Sequence, residues 1–242
     1  MLTCILASGN AHKASEFAAS FEPCGLRLRP APAALDVEEN AGSFAGNARL
    51  KAMAYAMAFG ENALADDSGL CVDALDGAPG IHSARYAAMG PDPDLDPDRT
   101  AANNRKLLHA LATTPDDARQ AHFVCALCLV VKQPCDLDRL WQSRQAHKML
   151  TFFDADGQVI PPCAKADDAR PAYAELAVEG IADGRILTQP SGSEGFGYDP
   201  LFFCPETATT FAQLTREQKL SVSHRGRAMA AFMTAFMVLE IT

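Results

Sequence analysis

Two adjacent acids, Asp66 and Asp67, followed by Ser68 and Gly69, form the sharpest chemical feature of this sequence. A carboxylate at a strand end can hold Mg²⁺, a hard cation that prefers oxygen ligands, or polarise a water. Successive strand residues face opposite ways, so one of the two acids enters a given cleft. The pattern predicts short strands over 62–66 and 70–74 flanking an acidic turn, and an Asp-Ser-Gly turn is by itself commonplace. Glu38 and Glu39 precede a predicted helix bearing Asn47 and Lys51, which at i,i+4 project from one face. Acids before a helix also serve simply to offset its dipole.

Three further segments have chemical potential. Ser8-Gly9-Asn10-Ala11-His12-Lys13 follows the first strand and opens a helix. A glycine turn there exposes backbone N–H groups at a positive helix end, and Lys13 adds a full charge, which makes an anion site. The Gly-x-x-x-x-Gly-Lys-Ser/Thr pattern of a Walker loop is absent. In Gly195-Phe196-Gly197-Tyr198-Asp199-Pro200, two glycines allow close backbone approach. Phe196 and Tyr198 can stack on a base, and Asp199 can accept hydrogen bonds from a base edge or a sugar. Lys219 is followed by Ser223-His224-Arg225, whose two cations open a helix where they oppose the macrodipole. That placement carries more information than a charge on a solvated face.

These residues need elements to position them. Residues 2–7 read as a strand and 11–21 as a helix. Ser43 suits an N-cap for a helix over 44–59, with Gly60 past its end. A helix near 100–112 carries Asn104, Leu107, Leu108 and Leu111 at helical spacing. His122–Val131 is the strongest strand, its near-continuous apolar run suited to a central position covered on both faces. Residues 174–179, 185–188 and 201–203 suggest further strands. Ser223 would cap the last helix, whose stripe of Met229, Phe232, Met233, Phe236 and Met237 reads as core. Residues 132–173 mix Pro, Gln and charges around one hairpin, 151–153 turning at 154–157 into 158–160, and read as an insertion. The element order suggests a mixed α/β sheet within one domain, residues 1–242.

Composition narrows the function classes. A formal net charge of −9 disfavours nonspecific nucleic-acid binding. An acidic protein that binds a polyphosphate must gather its few cations in one place. No run approaches the ~18 apolar residues of a membrane span. The first residues read as a strand rather than a signal peptide, so the cytoplasm is the expected location. Of 8 cysteines, only Cys125 and Cys128 form a CxxC. On a strand that pair faces opposite ways and cannot share a metal. Asp92, Asp94 and Asp96 mimic the start of an EF-hand, but Pro97 and Asn103 stand where its glycine and glutamate belong.

In this order, the segments closely resemble the inosine triphosphate pyrophosphatase family, which removes deaminated purine nucleotides. The match runs through Ser8-Gly9-Asn10-x-x-Lys13-x-x-Glu16, Asn47-Ala48-x-x-Lys51-Ala52 and Ala65-Asp66-Asp67-Ser68-Gly69-Leu70. It continues through Gly77-Ala78-Pro79-Gly80-Ile81-His82-Ser83-Ala84-Arg85-Tyr86, Gly195–Pro200, Leu214-Thr215-x-Glu217-x-Lys219 and Ser223-His224-Arg225. The resemblance implies a mixed central sheet flanked by helices, two-lobed, with a nucleotide cleft between the lobes. It implies that ITP, dITP and XTP are cleaved to the monophosphate and pyrophosphate with Mg²⁺, by a homodimer that binds neither nucleic acid nor membrane. Asp67 would be metal ligand and general base, and Glu39 the second metal carboxylate, with Glu38 as the alternative. Ser8–Lys13 would hold the triphosphate, Lys51 and Lys219 adding charge. Ser68 would touch substrate, and Phe196, Gly197, Tyr198, Asp199, His224 and Arg225 would enclose base and sugar. A Maf-like pyrophosphatase of other base specificity and a nucleotide-binding module without turnover are the alternatives. Three departures stand out: Gly46 where the family often has Glu, Ser8 for its common Thr, and the long 132–173 segment.

Overall fold

The structure, a computed structural model, describes residues 1–7, 17, 20–90, 93–94, 96–143, 145–161 and 170–239. Within it the chain divides into two compact units. The first comprises Met1–Asp67, Ala126–Val178 and Met229–Thr242, the second Ser68–Cys125 and Glu179–Ala228. The predicted helix near 11–21 falls mostly outside the described residues; Phe17 and Phe21 are fully buried and stack at 5.8 Å.

In the first unit, β1 (Leu2–Leu6) pairs in parallel with β2 (Leu26–Pro30) and with β3 (Ala63–Val72). The order continues through β4 (Gln120–Val131) and β7 (Tyr173–Ile186) to β5 (Thr151–Phe153) and β6 (Val159–Ile160). The β5 strand runs antiparallel to both β7 and β6, so the sheet is mixed as expected. Central β4 is buried from Phe123 to Val131. Burial pushes the thiol of its Cys128 up to about 12.

Helix α1 (Phe44–Phe59) matches its sequence signals to the residue. Ser43 is extended and accepts a hydrogen bond from the Gly46 N–H at 3.1 Å, while Gly60 takes the left-handed φ of 63°. Gly46 has a local reason: a Cβ there would lie 2.5 Å from the Ala41 Cβ and 3.0 Å from the Ser43 Oγ. The 132–173 region holds α3 (Pro134–Trp141), α4 (Ala146–Met149) and the expected β5–β6 hairpin, with Phe153 opposite Val159.

The second unit packs α2 (Arg99–Ala110) around a core that includes Leu70, Leu107, Phe123, Phe202 and Phe211. The later part of β7 pairs with β8 (Phe202–Cys204), which pairs with β9 (Thr209–Thr210). Helix α5 (Arg216–Val222) opens on a capping box between Thr215 and Gln218. Ser223 then caps α6 (His224–Val238), its Oγ accepting from the Gly226 N–H at 3.2 Å. Asp94 and Asp96 both bind Arg105, at 2.7 and 2.9 Å, which accounts for the false EF-hand pattern.

Three expectations need correction. The acids do not sit at a turn between two strands, because β3 runs unbroken through Asp66–Gly69. None of those residues has a positive φ, and a strand flanked by neighbours on both sides tolerates polar residues and a glycine. Residues 174–179 and 185–188 are likewise one strand, β7. Its Gly180 leaves room for a close backbone crossing, since a Cβ there would meet Ala228 N and His224 O at 2.2 Å. Finally, Met237 leaves the core stripe and is 66% exposed. Successive i+4 steps from Met229 drift around a 3.6-residue helix, so the third lies off the buried face.

Candidate active site

The first unit carries an acidic group. Asp67 lies on β3 and is nearly buried, at 9% exposure. Its Oδ2 accepts from Asn47 Nδ2 at 3.1 Å, and its Oδ1 lies 3.5 Å from Lys51 Nζ. The i,i+4 spacing on α1 therefore brings both side chains to one carboxylate. Asn47 is itself fixed, its Oδ1 accepting from the Ala41 N–H at 3.1 Å. Lys51 also pairs with Glu39 at 3.4 Å, so one ammonium stands between two carboxylates. Glu39, not Glu38, makes that contact; Glu38 is exposed.

Burial raises the Asp67 pKa above the ordinary carboxylate range, opposed by the Lys51 charge and the Asn47 hydrogen bond, with Glu39 and Asp66 adding to the rise. Asp66, on the other face of β3, is 2% exposed. The donor set suits a hard divalent cation. Both groups are carboxylates, and the cation now between them is an ammonium. No cluster of three or more His, Cys, Asp or Glu occurs among the described residues.

The second unit carries an aromatic and cationic group. Gly195 and Gly197 take φ of 77° and 65°, which turns the chain sharply on either side of Phe196 and leaves that ring 58% exposed. Lys219 Nζ lies 5.0 Å from its centroid and the Arg225 guanidinium 5.6 Å. Asp199 is buried within the loop, accepting from the Phe196 N–H at 2.8 Å and pairing closely with Lys219. A Cβ at Gly195 would strike Asp199 Oδ2 at 2.1 Å, so glycine is required there as well. His224 is buried and stacks on Phe123 at 4.7 Å. Ser68, the first residue of this unit, is half-buried on β3.

Two expectations shift. Tyr198 does not offer a stacking face, because it is 3% exposed within the core and donates its hydroxyl to Ser83 O at 2.9 Å. Lys219 and Asp199 hold each other, so both help shape the loop. The phosphate segment Ser8, Gly9, Asn10, Ala11, His12 and Lys13 lies outside the described residues.

Motif reading missed Asn103 and Asn104 of α2. Asn103 Nδ2 donates to Ser83 O at 3.2 Å, and its Oδ1 accepts from the Ala87 N–H at 2.7 Å. Asn104 Nδ2 donates to Gly197 O at 3.0 Å. Adjacent side chains on one helix thus hold the 80–88 turn and the Phe196 loop. The only local signal was an asparagine within an otherwise apolar helical spacing.

Comparison with known proteins identifies the family. The model of the Ham1 family matches residues 4–142 and 163–235. A dITP/XTP pyrophosphatase of Parasynechococcus marenigrum is 40% identical over 230 residues, covering 95% of this chain and 92% of the relative. One from Synechocystis is 38% identical, covering 94% and 92%. Among solved structures, a HAM1 protein from Coxiella burnetii superposes with a TM-score of 0.70 at 31% identity, over 97% of this chain and 98% of that one. A nucleoside-triphosphatase / dITP/XTP pyrophosphatase from Mycobacterium abscessus gives 0.64 at 34%, over 96% and 98%.

Proposed function

This chain belongs to the Ham1 family, and from that premise we propose that it hydrolyses deaminated purine nucleoside triphosphates to the monophosphate and pyrophosphate. The carrying observation is the Asp67 carboxylate, held by Asn47 and Lys51 beside Glu39. Its raised pKa makes it a better proton acceptor than an ordinary aspartate.

Asp67 takes a proton from the attacking water. The water oxygen bonds to the α-phosphorus as the bond from that phosphorus to the bridging oxygen breaks. Pyrophosphate leaves with the bonding pair. We assign Glu39 and Asp67 to hold Mg²⁺, which when bound neutralises charge on the phosphate oxygens and lowers the pKa of a coordinated water. Lys51 would shift from its two carboxylates toward a phosphate. The segment Ser8–Lys13 would receive the triphosphate, its backbone N–H groups and Lys13 as donors.

Phe196 is the open aromatic face for the base, flanked by Lys219 and Arg225. Donors aimed at the 6-oxo group of hypoxanthine or xanthine would be left unpaired by a 6-amino purine, which can discriminate by up to ~10⁴-fold. We extend this reading to a homodimer working in the cytoplasm. No helix among the described residues is long and apolar enough to cross a membrane.

The test is a substrate panel with Mg²⁺. Pyrophosphate release from ITP, dITP and XTP is expected to be far faster than from ATP. Equal turnover of ATP would overturn the base specificity, and release of single phosphates would overturn the reaction. Sedimentation of the purified chain tests the dimer.

A further inference from the structure

Residues 143–162 fall between the two stretches that the family model matches, and they contain the β5–β6 hairpin. That hairpin adds to the sheet beside β7, setting Thr151 opposite Glu175 and Phe153 opposite Tyr173. The Phe153 and Tyr173 rings stack at 4.7 Å, nearly parallel at 9°. Over Phe153, at 5.5 Å, lies the guanidinium of Arg49, which comes from α1. Arg49 Nε also donates to Glu175 Oε2 at 2.9 Å.

Glu175 is 8% exposed, and its other oxygen, Oε1, has no hydrogen-bond partner among the described residues. The nearby Cys128 thiol has its pKa pushed up to about 12 by burial, with Glu175 adding, and stays neutral. Arg49 is therefore the charge that makes this buried carboxylate tolerable. A charge-assisted bond of this kind, with a ring beneath the planar guanidinium, fixes the arginine in orientation as well as position.

Arg49 stands two residues from both Asn47 and Lys51, so it projects from a different side of α1 than they do. The helix is seated by buried Phe44, Ala48, Ala52, Tyr55 and Ala56, and a small roll about its axis would carry Asn47 and Lys51 away from Asp67. An anchor on a second side opposes that roll. We propose that Arg49 is a positioning residue, and that the β5–β6 hairpin acts on the site by fixing α1 through Phe153, Arg49 and Glu175. The proposal rests on the catalytic reading of Asp67, Asn47 and Lys51 given above. The hairpin is then a brace for the catalytic helix.

The test compares Phe153→Leu, which keeps an apolar side chain but removes the ring face, with Phe153→Tyr, which keeps the ring. Arg49→Lys, which keeps the charge and loses the planar fork, is the third variant. Phe153→Leu and Arg49→Lys are expected to lower kcat on ITP about 5- to 10-fold with KM within about twofold, because displaced catalytic groups cost rate rather than base binding. Phe153→Tyr is expected to match the wild type. In protein free of metal and nucleotide, amide exchange over residues 44–59 should quicken in the Leu variant and not in the Tyr variant. Wild-type exchange and kcat in Phe153→Leu would overturn the brace, as would equal losses in the Leu and Tyr variants. If Arg49→Lys fails to fold, the Phe153 pair decides alone. Failure of the wild type to release pyrophosphate would sink the functional reading, while the exchange measurement still tests the brace.

Discussion

Asp67 is subject to opposing influences from its neighbours, and their balance sets its chemistry. Burial, Glu39 and Asp66 disfavour its charge, whereas Lys51 and Asn47 favour it, and the net pKa is raised. Asp67→Asn keeps the shape and the contact with Asn47 but removes the proton acceptor. It should lower kcat by about 10²-fold or more, with nucleotide binding still measurable by calorimetry. The raised pKa also has a stability consequence with a definite sign. The folded protein binds the Asp67 proton more tightly than the unfolded chain, so ionising it weakens the fold. Without metal, wild type should lose stability relative to Asp67→Asn as pH rises from about 4, the ordinary aspartate value, through the raised one. Urea unfolding in chelator across that range measures it, and an unchanging difference would show that Asp67 is not perturbed.

At the scale of elements, one helix holds two loops. Asn103 and Asn104 of α2 secure the 80–88 turn and the glycine loop that presents Phe196. Asn104→Leu removes the donor to Gly197 O, a loss of about 1–2 kcal/mol at a buried polar group. If Phe196 is the base-stacking face as proposed, the substitution should raise KM for ITP by roughly 5- to 30-fold and leave kcat nearly unchanged. Steady-state pyrophosphate release separates the two constants. Elsewhere, β7 and the start of α6 meet through backbone at Gly180. Gly180→Ala would place a methyl within 2.2 Å of Ala228 N and His224 O. Neither atom is a flexible chain end, so the strand or helix must shift. The expected loss is about 1–3 kcal/mol, read as a lower urea midpoint, with activity falling because His224 and Arg225 ride on the moved turn.

Across the whole molecule, a net charge of −9 must coexist with binding of a polyanion. The described cations near the candidate groups are each held by an acid or an aromatic ring: Lys51 by Glu39 and Asp67, Lys219 by Asp199 and Phe196, Arg225 by Phe196. Such cations stay in place without substrate. On the proposed reading, a triphosphate would draw the Lys51 ammonium away from Glu39 and Asp67, and the two carboxylates would then need a second positive charge. Chelation is therefore expected to abolish turnover without unfolding the protein, and Mg²⁺ to restore it. Circular dichroism run beside the activity assay distinguishes loss of metal from loss of fold. Activity that persists in chelator would remove the metal from the proposal.

The sequence determined most where the physics is local. Ser43 and Gly60 bound α1, and Ser223 caps α6, because a side-chain oxygen or a left-handed glycine acts within one turn of its own position. The i,i+4 spacing of Asn47 and Lys51 likewise specified a shared face, and the apolar run of β4 specified a central strand. Tertiary structure decided what depends on partners distant in the chain. Ladder neighbours, not the residues themselves, carry β3 straight through Asp66–Gly69. Core packing buries Tyr198 and leaves Phe196 as the exposed ring of that loop. The hold of Asn104 on Gly197, 93 residues away, has no motif to announce it, because a backbone carbonyl is the same in every sequence. Asp67 combines both kinds of information: strand alternation separated the two acids of the pair, and the fold supplied the asparagine, lysine and second carboxylate that surround it.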